Sequence, residues 1–260
     1  MAPILAVVNQ KGGVGKTTSC VNIAAYSAKR GLKILLIDAD PQGNATSGLG
    51  FDKNALELTT YDVLVNDAAI TDVIRPTAYR HLSLCPANIN LTGAEVELVE
   101  REQREAALKR GVAAVRDKYD LILVDCPPSL GLLTVNCLTA ADRLLIPIQA
   151  EYYALEGVGQ LLRTFELIKQ NLNPGLVIEG VFLTMFDTRT QLSKQVADEV
   201  SSYFGDRLYR TLIPRNVRLS EAPSHGKPIN EYDRFSKGAR AYDALTREIL
   251  NRLKLKGVLS

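Results

Sequence analysis

The residues best equipped for chemistry lie near the start of the chain, in Lys11-Gly12-Gly13-Val14-Gly15-Lys16-Thr17-Thr18. Glycines at this density let backbone N–H groups close on the oxygens of a polyphosphate. Lys16 stands where an ammonium reaches the β- and γ-phosphates, and Thr17 where a hydroxyl ligates Mg²⁺. The strict pattern G-x-x-x-x-G-K-[ST] fails at its first position, because Gln10 replaces glycine and a second lysine, Lys11, opens the loop. Three carboxylates, Asp38, Asp40 and Asp125, stand at the ends of apolar runs. A carboxylate so placed can meet Mg²⁺ through water or orient an attacking water. For Asp38 and Asp40 the structural alternative is a turn cap before Pro41.

Such side chains work only if regular elements deliver them to one place. Ile4–Val8 is short and apolar enough for a buried strand, and Ser19–Arg30 carries Val21, Ala24, Ala25 and Ala28 at helical spacing. The glycine loop therefore falls between a strand and a helix start. Lys33–Ile37, Leu82–Cys85, Tyr119–Asp125, Arg143–Ile148, Leu176–Thr184 and Leu208–Ile213 read as further strands, and Thr60–Asn66 as a short helix. The strand–helix–strand order predicts an α/β fold, a doubly wound, mainly parallel sheet flanked by helices. Ligands of such sheets bind beyond the carboxyl ends of the strands. Asp38, Asp40, Asp125 and the segment Pro214-Arg215-Asn216 all fall there. The loop Gln42–Phe51 reads as mobile, and Gly93–Lys118 as a charged helix broken near Gly111. A helix is expected from Glu151 to about Asn171, another carries Val196, Val200 and Phe204 on one face, and Ser236–Leu255 reads as a closing helix. No repeat or linker divides the chain, so residues 1–260 are expected to form a single domain.

Composition narrows the function classes. Hydrophobic residues make up 46% and charged residues 23% of 260 positions, ordinary for a globular protein. Net charge is +2, yet residues 180–260 carry 14 Lys/Arg against 9 Asp/Glu. That third is a candidate polyanion-facing surface, with ordinary solvated charge as the alternative. Cys20, Cys85, Cys126 and Cys137 have no metal-ligand spacing and read as buried, reduced thiols. No leader and no apolar run of roughly 18 residues is evident, so a cytoplasmic protein is expected.

The loop Lys11–Thr17 resembles the deviant phosphate loop of the ParA/MinD group of P-loop ATPases. The likeness continues through Asp38-Ala39-Asp40-Pro41-Gln42-Gly43-Asn44, Asp125-Cys126-Pro127-Pro128-Ser129, Glu151-Tyr152-Tyr153-Ala154-Leu155-Glu156-Gly157 and Ile213-Pro214-Arg215-Asn216-Val217-Arg218. Together these blocks are similar to the Soj subgroup of ParA-type chromosome-partitioning ATPases, over nearly the whole chain. The resemblance implies a slow, partner-stimulated, Mg²⁺-dependent ATP hydrolase. Lys11, Gly12, Gly13, Val14, Gly15, Lys16, Thr17 and Thr18 would hold ATP, with Pro214 and Asn216 at the adenine. Thr17, Asp38 and Asp125 would surround the metal, and Asp40 would position the hydrolytic water. Residues 42–51 and the turn at Pro127-Pro128 would be switches I and II. The resemblance also implies that Lys11 reaches across an ATP-dependent homodimer and that residues 151–157 face the second subunit. Arg189 and Arg218 match positions linked to DNA binding. The implied partners are non-specific double-stranded DNA and a ParB-type centromere-binding protein, in chromosome or plasmid segregation, with no membrane and a nucleoid-associated location.

Three other classes share parts of this pattern. A MinD-like membrane-surface ATPase needs a basic amphipathic C-terminal helix; Asn251–Leu259 is basic but short and lacks aromatics. A reductase resembling the nitrogenase iron protein needs a cluster-holding cysteine in each subunit's switch region, which Cys85, Cys126 and Cys137 do not match. A binding module that never hydrolyses ATP would not need Asp40.

Overall fold

The computed structural model describes residues 1–152 and 154–255, with 154–157 as backbone only. Its frame is a seven-stranded sheet: β1 Ile4–Val7, β2 Ile34–Asp38, β3 Arg75–Pro76, β4 Leu82–Cys85, β5 Leu121–Asp125, β6 Arg143–Gln149 and β7 Val177–Thr184. The spatial order is β3-β4-β2-β5-β1-β6-β7. Only β3, against β4, is antiparallel. The apolar strand runs are explained by cover on both faces, which removes any need for polar alternation. Ile4, Ala6, Leu35 and Ile37 enter one core with helices Leu132–Ala140, Ala154–Asn171 and Gln191–Phe204. Leu5, Val7, Ile34 and Leu36 enter the other with helices Lys16–Lys29 and Lys237–Arg252.

Register decides where the functional ends lie. Val7 and Asp38 both pair with Asp125, so β1, β2 and β5 finish level and the loops that follow converge. The helix Lys16–Lys29 is braced from behind by Lys237–Arg252: the Tyr242 hydroxyl lies 2.9 Å from Ser19 Oγ, and Tyr26 donates to the Ala239 carbonyl at 2.8 Å.

Three sequence expectations are corrected. Gln42–Phe51 is not a bare loop: it holds a helix, Asn44–Gly48, between left-handed Gly43 and Gly50, with Ala45 and Thr46 fully buried. Leu208–Ile213 is not a seventh parallel strand: isolated bridges form only at Leu208 and at Pro214, just past its end, while Glu248 takes the N–H groups of Arg210 and Thr211 at 2.9 and 3.1 Å. The charged stretch breaks at Arg101–Gln103, while Gly111 sits inside helix Ala107–Ala113. A Cβ on Gly111 would come within 2.6 Å of Val63 Cγ1, so close helix packing, not a break, accounts for that glycine.

Among the described residues no helix is long and apolar enough to cross a membrane. Of the basic tail, residues 256–259 lie outside the described residues, as does Tyr153.

Candidate functional site

The glycine loop joins the end of β1 to helix Lys16–Lys29. Gly13 and Gly15 have φ of 75° and 88°, left-handed values that penalise any residue with a Cβ. Gly15 is the N-cap and offers no side chain to the helix. The first helical N–H groups therefore remain available to an anion, reinforced by the helix dipole. A Cβ on Gly12 or Gly13 would meet nothing within 4 Å, so open space adjoins the loop at both positions. Thr184, at the end of β7, fastens the loop from below by donating to the Val14 carbonyl at 2.9 Å.

The two lysines sit in different surroundings. Lys16 is only 7% exposed, and its Nζ donates to the Lys11 carbonyl at 3.2 Å. Burial lowers its pKa, against the upward pull of Asp125 and Asp40. Lys11 is exposed and reaches to Glu151 Oε2 at 2.8 Å. Glu151 also accepts from Gln149 and lies 4.0 Å from Arg215.

Asp38 and Asp125 are fully buried neighbours across β2 and β5. Asp38 is already engaged: Oδ2 accepts from the Thr46 N–H and hydroxyl at 2.8 and 2.7 Å, and Oδ1 from the Asp40 N–H at 3.2 Å. It thereby anchors the helix Asn44–Gly48. Asp125 differs. Its Oδ1 accepts from the Cys20 thiol at 3.5 Å, and its Oδ2 is buried with no partner. Burial, then repulsion from Asp38, pushes the Asp125 carboxyl up to about 8; burial lifts Asp38 to about 6. A pair of buried carboxyls with one orphaned oxygen, beside the Thr17 hydroxyl, is a hard oxygen donor set that suits Mg²⁺. Asp40 Oδ1 accepts from the Gln42 N–H at 2.9 Å, and among the described residues no hydrogen bond engages Oδ2.

A pH dependence follows. A carboxyl raised from 3.8 to about 8 keeps its proton in the folded chain after the unfolded chain has lost it. Its stabilisation is complete below the lower value and disappears as pH rises through the upper one. The melting temperature of the nucleotide-free protein is therefore expected to fall between about pH 4 and pH 8. Asp125→Asn, neutral throughout, should flatten most of that fall and raise the melting temperature at pH 8, each kcal/mol being worth roughly 2–4 °C at this size. A scanning-calorimetry series that shows the same slope in both proteins would refute the assignment.

Beside the loop lies a cavity of about 500 Å³ lined by Gly15, Thr18, Thr184, Pro214, Asn216 and Val217 among others. Asn216 caps helix Val217–Glu221 by accepting from the Arg218 N–H at 3.0 Å. The arginines are exposed and ion-paired. Arg189 makes a two-pronged contact with Asp187 at 2.9 and 2.7 Å, holding that carboxyl well below the usual carboxylate range. Arg218 meets Glu221 at 2.9 Å and Asp233 at 3.5 Å.

The structure thus gathers Lys11, Lys16, Thr17, Asp38, Asp40 and Asp125 at one end of the sheet. Sequence reasoning missed Thr46 and Cys20. The one available signal for Cys20 was its spacing: four positions beyond Lys16, it shares that helix face.

Known proteins with this architecture are closely similar. The family model described as an AAA domain matches residues 2–178. The sporulation initiation inhibitor protein Soj of Bacillus subtilis (strain 168) is 57% identical over 249 residues, spanning 96% of this chain and 98% of its own. The chromosome-partitioning ATPase Soj of Treponema pallidum (strain Nichols) is 54% identical over 97% of this chain and 98% of its own. A solved structure described as cobyrinic acid a,c-diamide synthase from Mycobacterium smegmatis, with bound ADP and magnesium, has a TM-score of 0.86 at 39% identity, covering 98% of this chain and 96% of that one. The septum site-determining protein MinD of Pyrococcus horikoshii OT3, complexed with Mg-ADP, has a TM-score of 0.80 at 26% identity, with 100% of both chains covered.

Proposed function

The chain belongs to the ParA/Soj family of chromosome-partitioning ATPases, Mg²⁺-dependent ATP hydrolases, and from that premise we propose that it is a switch that dimerises on ATP to bind DNA. The observation that carries this reading is the division between the lysines. Lys16, buried among the carboxylates, supplies the charge for ATP held by its own subunit. Lys11 stands outside that cradle, its side chain 44% exposed. Its pairing with Glu151 is an exposed contact worth roughly 0.2–1 kcal/mol, easily exchanged for a phosphate of a second subunit.

In this reading the N–H groups of residues 12–18 cradle the phosphates, and Pro214 and Asn216 close on the adenine. Thr17 and Asp125 would hold Mg²⁺, with Asp38 beside them anchoring switch I through Thr46. Bound Mg²⁺ supplies charge neutralisation at the β- and γ-oxygens. Asp40 orients the hydrolytic water with the oxygen left free. Residues 1–260 act as one cytoplasmic, nucleoid-associated domain without membrane contact, and a ParB-type centromere-binding protein accelerates turnover.

Lys11→Ala should bind ATP within about threefold of the parent, because the cis cradle is intact, yet stay monomeric with ATP. Light scattering measures this, and ATP-driven dimers of the variant would defeat the proposal.

DNA contact is assigned to Arg189 and Arg218. Each must leave a carboxylate to meet a phosphate, so one subunit binds weakly and two in register bind well. The slope of log affinity against log salt is about −0.9 per phosphate neutralised, so pairing subunits roughly doubles it. Arg189→Glu or Arg218→Glu should abolish retention of duplex DNA while ATP-driven dimerisation survives. A charge-reversed protein that retains DNA as the parent does would move the surface elsewhere.

A further inference from the structure

Cys20 lies one helical turn beyond Lys16 and is fully buried between its helix and β5. Its thiol is 3.5 Å from Asp125 Oδ1 and 4.0 Å from the Val124 carbonyl. Buried carboxylates usually have every oxygen satisfied. Asp125 departs from that rule: Oδ1 accepts from the Cys20 thiol, the Thr17 hydroxyl also lies against the carboxyl, and among the described residues Oδ2 has no partner. A donor on one oxygen biases the orientation of the carboxyl plane, which turns the other oxygen away from the thiol.

We infer that Cys20 is a positioning residue for the metal site, fixing Asp125 through Oδ1 so that Oδ2 remains for the hydration shell of Mg²⁺. The inference rests on the reading of Asp125 as the carboxylate that meets Mg²⁺ through water. The position asks for a side chain that is small, buried and able to donate. Alanine fits the space without donating, and serine restores a donor of similar size. If Cys20 only filled volume, those two replacements would behave alike.

The test follows metal binding and not turnover. The full-length protein is loaded with a fluorescent ADP analogue and titrated with Mg²⁺, reading the half-saturating concentration. Loss of a side chain that orients a metal ligand commonly weakens metal binding about 10- to 100-fold. Cys20 is a weak donor, so Cys20→Ala should raise the half-saturating Mg²⁺ on the order of tenfold while metal-free affinity for the analogue is unchanged. Cys20→Ser should return it to within about twofold of the parent. Should Cys20→Ala fail to fold, Cys20→Val fills the volume without a donor and carries the same expectation. Parent-like Mg²⁺ binding in the alanine or valine variant overturns the inference, as does a serine variant as weak as they are. Asp125→Asn separates the two readings. If it weakens Mg²⁺ binding while Cys20→Ala does not, only the role of Cys20 falls; if it has no effect, the assignment of Asp125 falls and takes Cys20 with it.

Discussion

Lys16→Ala is expected to abolish measurable ATP binding. Among the described residues Lys16 is the one buried cation beside the three carboxylates and the phosphate loop, 7% exposed, its Nζ tethered to the Lys11 carbonyl. Burial already disfavours its charged form, and Asp125 and Asp40 support it. A triphosphate entering the loop adds the charge that this ammonium is placed to neutralise. Taking one partner from a buried charge pair costs roughly 3–5 kcal/mol. At about 1.4 kcal/mol per decade that is a loss of about two to three and a half decades in affinity. Isothermal calorimetry on the folded variant measures it. Affinity within a few-fold of the parent would mean that the loop amides and dipole bind ATP unaided, and that Lys16 serves another step.

Asp40→Ala is expected to leave ATP binding close to the parent and to cut hydrolysis by about 10²–10⁴, the usual contribution of a positioned acid–base group. Asp40 Oδ1 is committed to the Gln42 N–H, which fixes the carboxylate at the entrance to switch I. On the proposed mechanism its removal takes away the group that orients water but none of the phosphate contacts. The variant should therefore accumulate as the ATP-bound dimer of that mechanism. Phosphate release and size exclusion in the presence of ATP read the two effects separately. Normal turnover would reduce Asp40 to a turn cap, the alternative that its place before Pro41 leaves open.

What could be read in the sequence follows a physical pattern. The buried parallel strands were legible because cover on both faces leaves continuous apolar runs such as Leu121–Val124, and those of β2 and β5 end in the carboxylates Asp38 and Asp125. The phosphate loop was legible because its chemistry is local: eight consecutive residues hold the glycines, both lysines and the hydroxyls. Helix Leu132–Ala140 was not legible, because apolar residues surround it and no 3.6-residue stripe survives. Its start is instead fixed by Glu95, which accepts from the Leu132 N–H at 2.9 Å across 37 positions. Helix Asn44–Gly48 escaped for a related reason. Five residues have too little intrinsic helicity, and this turn is held by Asp38 and by two left-handed glycines. The finer features of the site, Cys20 on Asp125 and Lys11 on Glu151, join residues 105 and 140 positions apart, beyond any spacing rule.

In the proposed function ATP, by pairing two subunits, creates the DNA-binding state. The most direct measurement is retention of a radiolabelled duplex of arbitrary sequence by the purified protein with ATP, with ADP and with no nucleotide, at several salt concentrations. The predicted result is binding with ATP alone, equal for unrelated sequences and falling steeply with salt. Equal retention in all three nucleotide states, or retention of one sequence only, would contradict it.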